Sequence, residues 1–202
     1  MSIKLIQPCE GLIEIELDSL DNVFLISDGH WGHKNIIKYT NRPFASIEEM
    51  NKYMTEAWNS SVPKDAIIIY LGDFVFYGTI AGKEIKDGLN GVYWVGAKGN
   101  HDKSAGHLLR MGFDAVSAER IIIRTDKHVL HCIHRLPQTI PFWTKVKRLL
   151  RIGPKVAYIH GHSHNYFPLY RKIGGVPIIN VSCENVSYMP MSLERIIRYV
   201  EM

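Results

Sequence analysis

The feature that most constrains this chain is a joint that recurs four times, in which a short apolar run breaks at once into glycine and polar residues. Residues 23–27, 66–71, 92–95 and 156–159 are the runs, rich in β-branched and aromatic residues and read as buried strands. They lead into Asp28-Gly-His30, Gly72-Asp73, Gly99-Asn-His-Asp102 and Gly161-His-Ser-His164, with glycine where the backbone must turn sharply. Helices are expected between the early strands. Ser46-Ile-Glu-Glu49 has the spacing of a capping box and predicts a helix that ends before Pro63. Residues 80–89 and 103–111 predict shorter helices closing near Gly88 and Gly112. The second half is strand-rich, with strands expected at 121–125, 128–133, 156–160, 166–171 and 176–181 and a last helix at 192–200. An alternating half joined to a strand-rich half implies an α/β (α+β) fold. Two β-sheets pack face to face, helices flank them, and ligands bind off the carboxyl ends of the strands. The polar joints all fall at that edge.

Composition limits the partners. A length of 202 residues suits one domain, and 46% apolar with 22% charged residues is ordinary globular usage. A net charge of +4 suits an anionic partner such as a phosphate ester, a nucleotide or a nucleic acid, without the concentrated basic field of a dedicated duplex binder. Cys9, Cys132 and Cys183 are odd in number and form no C-x-x-C pair, so no disulfide framework or thiolate zinc clasp is expected. A reducing, cytoplasmic setting is the simplest expectation. The first eight residues lack the layout of an export signal. The longest strongly apolar run, 66–71, falls far short of the roughly 20 residues of a membrane helix, so no membrane partner is expected.

The joints also carry the chemistry. Asp28 and His30 stand two apart, so in an extended segment both side chains would point to one side, as two ligands of one ion must. Asp73, Asn100, His134, His162 and His164 add oxygen and nitrogen donors. Carboxylate, imidazole and amide oxygen without thiolate suit Mn²⁺, Fe, Zn²⁺ or Mg²⁺. One ion cannot easily use so many ligands. Two ions about 3.5–4 Å apart, sharing a carboxylate, would use them all and would serve in-line displacement at phosphorus.

The ordered set D-x-H, G-D, G-N-H-D, a strand-end His and G-H-x-H resembles the calcineurin-like metallophosphoesterases across most of the chain. Residues 27–37, continuing to Arg42-Pro-Phe44, are similar to a small single-domain subgroup found in bacteria and their phages. The resemblance implies one domain over 1–202 with an αββα sandwich, and a metal-dependent phosphoesterase using two divalent ions, Mn²⁺ foremost. Asp28, His30 and His164 would hold the first ion and Asn100, His134 and His162 the second, with Asp73 bridging. His131, just upstream, remains an alternative to His134. A hydroxide activated between the ions would attack phosphorus. His101 would be the general acid or electrostatic stabiliser, with Asp102 orienting its imidazole. Asn100 and His101 would face the substrate; from the residues alone, His33 could face it too, and Arg42 could either steer its phosphate or pair with a surface acid.

Where many relatives place a further acid or Arg after G-D, this chain runs into Phe74-Val-Phe-Tyr77, and no Arg closely follows Asp102. That favours a phosphodiester of a nucleotide or nucleic acid over a phosphoprotein. A phosphomonoesterase, or a metal-retaining nucleotide-binding module with little turnover, is the alternative. His107, His128 and His131 read as packing residues, and His160 as a strand end. Lys145-Val-Lys-Arg-Leu-Leu-Arg151 reads as a solvated helix face, or as a surface meeting the phosphates of a longer substrate with Trp143 or Phe142 stacking on a base.

Overall fold

The computed structural model of the protein describes residues 3–6 and 11–202; Cys9 and most of the first ten residues' features lie outside them. Two strands, β1 (Ile3–Ile6) and β2 (Leu12–Leu17), precede the alternating half. That half comprises β3 (Val23–Ile26), α1 (Ile36–Tyr39), α2 (Ile47–Ser61), β4 (Ile67–Tyr70), α3 (Thr79–Asp87), β5 (Tyr93–Ala97), α4 (Ala105–Arg110) and β6 (Ala115–Ser117). The strand-rich half follows with β7 (Arg120–Arg124), β8 (His128–Ile133), α5 (Phe142–Leu150) and β9 (Lys155–His160). It closes with a 3₁₀ turn at His164–Tyr166, then β10 (Tyr170–Ile173), β11 (Val176–Asn180), β12 (Met191–Ser192) and α6 (Leu193–Glu201).

Among the described residues the strands form two sheets, ordered β1-β2-β7-β8-β9-β11-β10 and β12-β3-β4-β5-β6. In the smaller sheet β3, β4, β5 and β6 run parallel; in the larger, β8, β9 and β11 do. The two sheets pack face to face on one apolar core, with Ile15, Ile121 and Ile123 from one and Leu25, Ile69 and Val95 from the other, and helices flank them. This is the α/β sandwich expected. The sheets are also stitched at one edge. Ser27, just past β3, donates its N–H to Val181 and accepts from the Cys183 N–H, both at 3.0 Å, so the ends of β3 and β11 meet.

Helix α2 shows how local chemistry sets an element. The Ser46 hydroxyl accepts from the Glu49 N–H at 3.2 Å, while the Glu49 carboxylate reaches back to the Ala45 N–H at 2.7 Å, one residue before the cap. Met50, Met54 and Trp58 recur every four residues and are fully buried. Trp58 stacks on Trp94 with centroids 5.2 Å apart, and Trp31, Tyr70, Phe74 and Phe113 complete an aromatic core. The apolar Phe74 after G-D is therefore explained as packing.

The strand expected at 166–171 is shifted. Residues 164–166 make the 3₁₀ turn instead, because the Asn180 and Asn185 side-chain amides each bind the carbonyls of His164 and Phe167, and Pro168 has no N–H for a ladder. Strands β1, β2, β6 and β12 were not read from the sequence.

Candidate metal centre

Every polar joint leaves the carboxyl end of a parallel strand, so the two sheets deliver the joints to one edge. The joints then bind one another. Residues 28–31 run beside 72–75, through Asp28 N–H to Gly72 (3.0 Å), His30 N–H to Asp73 (3.1 Å) and Trp31 N–H to Phe74 (3.1 Å). A Cβ on Gly99 would meet the Asp73 main chain and carboxylate at under 3 Å, and one on Gly161 would meet Ser27 and Asp28 as closely. Only glycine admits these approaches. Asp28, His30, Asp73, His162 and His164 all have positive φ, between 44° and 64°. They make up half of the ten such non-glycine residues described, and strain of this kind concentrates at functional sites. Asp28 and His30 therefore converge through left-handed turns, and not through the extended segment expected from their spacing.

Two clusters result, Asp28–His30–His164 and Asp73–His134–His162, with the donor atoms of each within 4.8 Å of one another. In the first, Asp28 Oδ1 lies 4.0 Å from His30 Nε2 and 3.8 Å from His164 Nε2. Donors bound ~2.0–2.2 Å from one ion stand roughly 3–4 Å apart, so the spacing fits a cation. Asp28 Oδ1 and His30 Nε2 are also buried without a hydrogen-bond partner among the described residues, a costly state that a cation would relieve. The other carboxylate oxygen of Asp28 is occupied by the His162 N–H at 2.8 Å and the Ser182 hydroxyl at 3.0 Å.

In the second cluster, His134 Nδ1–H donates to the Leu71 carbonyl at 2.7 Å, so Nε2 is the ring atom that could bind a cation. Nε2 lies 2.8 Å from Asn100 Oδ1 and 3.3 Å from Asp73 Oδ2. Asp73 Oδ2 is also 3.5 Å from His30 Nε2, so one carboxylate oxygen stands between the clusters. His131 points elsewhere and stacks on Tyr158 at 4.9 Å.

The charges agree with the geometry. Burial lowers His30 to about 2 despite the pull of Asp73, which keeps the imidazole neutral, as a metal ligand must be. Burial also pulls His134 down, but its hydrogen bond to the Asp73 carboxylate and the charges of Asp28 and Asp73 push it up to about 9, so the ring holds a proton that a bound cation would displace. Burial raises Asp73, yet His134, His30 and the His101 N–H bring it well below the usual carboxylate range. This is a negative pocket that stabilises positive charge.

Other expected residues fall in three places. His101 is exposed at the rim, 5.3 Å from the His30 ring, with its N–H on Asp73 Oδ1 at 2.8 Å. His33 lies beside it, 5.5 Å from His30, and stacks on Phe76 with centroids 4.1 Å apart. Asp102, expected to orient His101, does not. Its oxygens accept the N–H groups of Asp73 (2.8 Å), Phe74 (3.1 Å) and Gly99 (2.8 Å), pinning one joint to the next. Arg42, expected to face substrate, has a fully buried side chain. Its guanidinium donates to the carbonyls of Asp28 and Gly29 and to the Glu184 carboxylate, at 2.7–2.9 Å, so it holds the Asp28 turn from behind.

Glu184, Ser182 and Asn180 were missed. Glu184 accepts from His164 Nδ1 at 3.0 Å, with burial opposed by His164 and Arg42 to bring its carboxyl to about 2. The signal was present in Asn180-Val-Ser-Cys-Glu-Asn185, a polar run after an apolar strand like the other joints but without glycine.

No protein-family model matches the chain. An uncharacterized protein of Methanocaldococcus jannaschii, MJ1445, is 35% identical over 191 residues, covering 91% of this chain and 93% of its own. The chain belongs to the family of that protein. A protein of unknown function from Aquifex aeolicus, AQ665, shares the fold with a TM-score of 0.63 at 21% identity, over 87% of this chain and 97% of the other. A novel archaeal phosphodiesterase is more distant, with a TM-score of 0.44 at 18% identity over 80% and 84% of the two chains. Among the described residues no helix is long and apolar enough to cross a membrane.

Proposed function

We propose that this chain is a two-ion metallophosphoesterase of the calcineurin-like type, one domain over its length, that hydrolyses a phosphodiester of a nucleotide or nucleic acid. The observation that carries the reading is the pair of Asp/His clusters with Asp73 Oδ2 between them, 3.5 Å from His30 and 3.3 Å from His134. Two divalent cations there, Mn²⁺ foremost, would supply Lewis acidity and a water of lowered pKa for in-line attack at phosphorus. Asp28, His30 and His164 would hold one, Asn100, His134 and His162 the other, and Asp73 both.

The chain's own groups then have separate tasks. His101, exposed at the rim and anchored through its N–H to Asp73, is the group able to give a proton to the leaving oxygen. Asp102 keeps that loop in place through the main chain. The His33–Phe76 stack presents a flat face beside His30, with Phe76 55% exposed, and suits a planar base or aryl group on the substrate. Arg42 has its donors committed inside the protein and offers none to the second charge of a monoester, which favours the diester.

The test is hydrolysis of a bis-aryl phosphodiester against the matching aryl monoester by the Mn²⁺-loaded protein, with Asp73→Asn as control. Diester turnover that vanishes in the control is expected. Two bound metals with no turnover on either ester would overturn the reading in favour of a binding module, and preference for the monoester would overturn the diester assignment.

A further inference from the structure

Helix α5 is turned inside out. A surface helix normally buries its apolar stripe and wets its polar face. Here Phe142, Trp143, Val146, Leu149 and Leu150 fall on one arc of about 120° at 100° per residue. Leu149 is 82% exposed, Phe142 and Trp143 are 70% exposed, and no residue of α5 is buried. On the polar side only part of the helix turns inward, where Arg148 donates to the Val200 carbonyl at 2.8 Å and the Lys145 stem packs against Gly174, while Lys147 and Arg151 stay exposed.

The apolar arc borders a groove of about 880 Å³ that also carries Lys145, Lys147, Arg148, Arg151, Lys155 and Lys172. Its acid, Glu201, is already paired with Lys155 and with His128. The surface thus joins bulky hydrocarbon to concentrated positive charge. A second copy docked symmetrically would set these cations against themselves. A nucleic acid would use the cations and Trp143, but would leave Leu149, Leu150 and Ile152, all exposed, without an apolar partner.

We infer that α5 and its cationic surround bind the surface of an anionic lipid bilayer, with Phe142, Trp143, Leu149 and Leu150 entering the interface and the lysines and arginines meeting the headgroups. A surface helix needs no spanning length, so the short apolar runs that led to the expectation of no membrane partner do not oppose it. Lys155 begins β9 and His160 ends it next to the metal-binding joint, so the groove and the candidate centre lie at opposite ends of a six-residue strand, on the order of 20 Å. The bound protein would keep its metal clusters open to water.

The test is co-sedimentation of the full chain with phosphatidylcholine vesicles, with and without one third phosphatidylglycerol. Trp31, Trp58 and Trp94 are fully buried, so a change in tryptophan emission on adding vesicles reports Trp143. Expected are a tenfold or greater rise in the bound fraction with phosphatidylglycerol, a blue shift of emission, and release by salt. Leu149→Asp, and separately Lys147→Glu with Arg151→Glu, should abolish binding while leaving the thermal midpoint and small-diester hydrolysis unchanged. Equal binding to both vesicles, no binding, or binding retained by Leu149→Asp would overturn the inference. So would capture of an oligonucleotide in place of the vesicles, or concentration-dependent dimerisation lost in Leu149→Asp.

Discussion

Glu184 grips His164 at Nδ1 with both carboxylate oxygens, at 3.0 and 3.1 Å, while the opposite ring nitrogen stands 3.8 Å from Asp28 Oδ1. Arg42 holds the same carboxylate from the other side at 2.8 Å and reaches the main chain of the Asp28 turn. The ring and the carboxylate of one cluster are thereby oriented by a single buried ion pair.

Glu184→Gln should therefore weaken metal binding at the Asp28 cluster by about 10–100-fold, the usual loss when a carboxylate behind a ligating histidine is removed. Calorimetric titration with Mn²⁺ reads it directly. An unchanged affinity in a folded variant would show that His164 needs no such support.

Asp102→Ala should act on stability before chemistry. It strands the buried N–H groups of Asp73, Phe74 and Gly99, and a loss of about 3 kcal/mol is expected if each costs on the order of 1 kcal/mol. Denaturant unfolding measures this. If the variant keeps full stability but loses turnover on poor leaving groups, Asp102 belongs to proton transfer after all.

Phe76→Ala removes the exposed half of the His33–Phe76 stack. KM for a nucleotide diester should rise roughly 5–20-fold, in line with about 1–2 kcal/mol for one base stacked on an aromatic ring, with kcat little changed. Comparison with a dialkyl phosphodiester, which has no ring to stack, checks the cause. An equal rise on both substrates would point to a distorted site.

His131 predicts how acid acts on the fold. Burial, with Arg120 and Arg124 nearby, lowers its pKa to about 4, below the ordinary 6.5. The unfolded chain takes up a proton first as pH falls, so the contribution is intact above about 6.5 and is lost progressively towards about 4. Allowing for its partial exposure, His131 should account for on the order of 2 kcal/mol across that window. Urea midpoints of His131→Gln and the parent, taken at pH 7 and pH 4.5, should diverge less at the lower value. A parallel fall in both would remove His131 from the account.

Much of this was readable in one dimension, because strands, turns and capping obey rules that act within a few residues. The joints after β3, β4, β5 and β9 could be found since glycine and polar residues must follow a buried strand that turns sharply. Ser46 could be placed as a cap since Glu49 lies three residues on. All of the donor set except His134, which follows β8, was written in those joints. What a side chain turns towards was another matter. Arg42 and Asp102 sit inside motif-like sequence that points them at substrate and at His101, whereas folding gives their polar atoms to main chain and to Glu184, 142 residues from Arg42. Glu184 and Ser182 were hidden because no glycine marks their joint. Helix α5 reads as an ordinary amphipathic helix, and only packing decided that its apolar arc faces out. Local sequence determined which groups the chain brings to the strand ends; which of them face a cation, another loop or water depends on contacts between residues far apart in the chain, and these exist only once the two sheets have closed on each other.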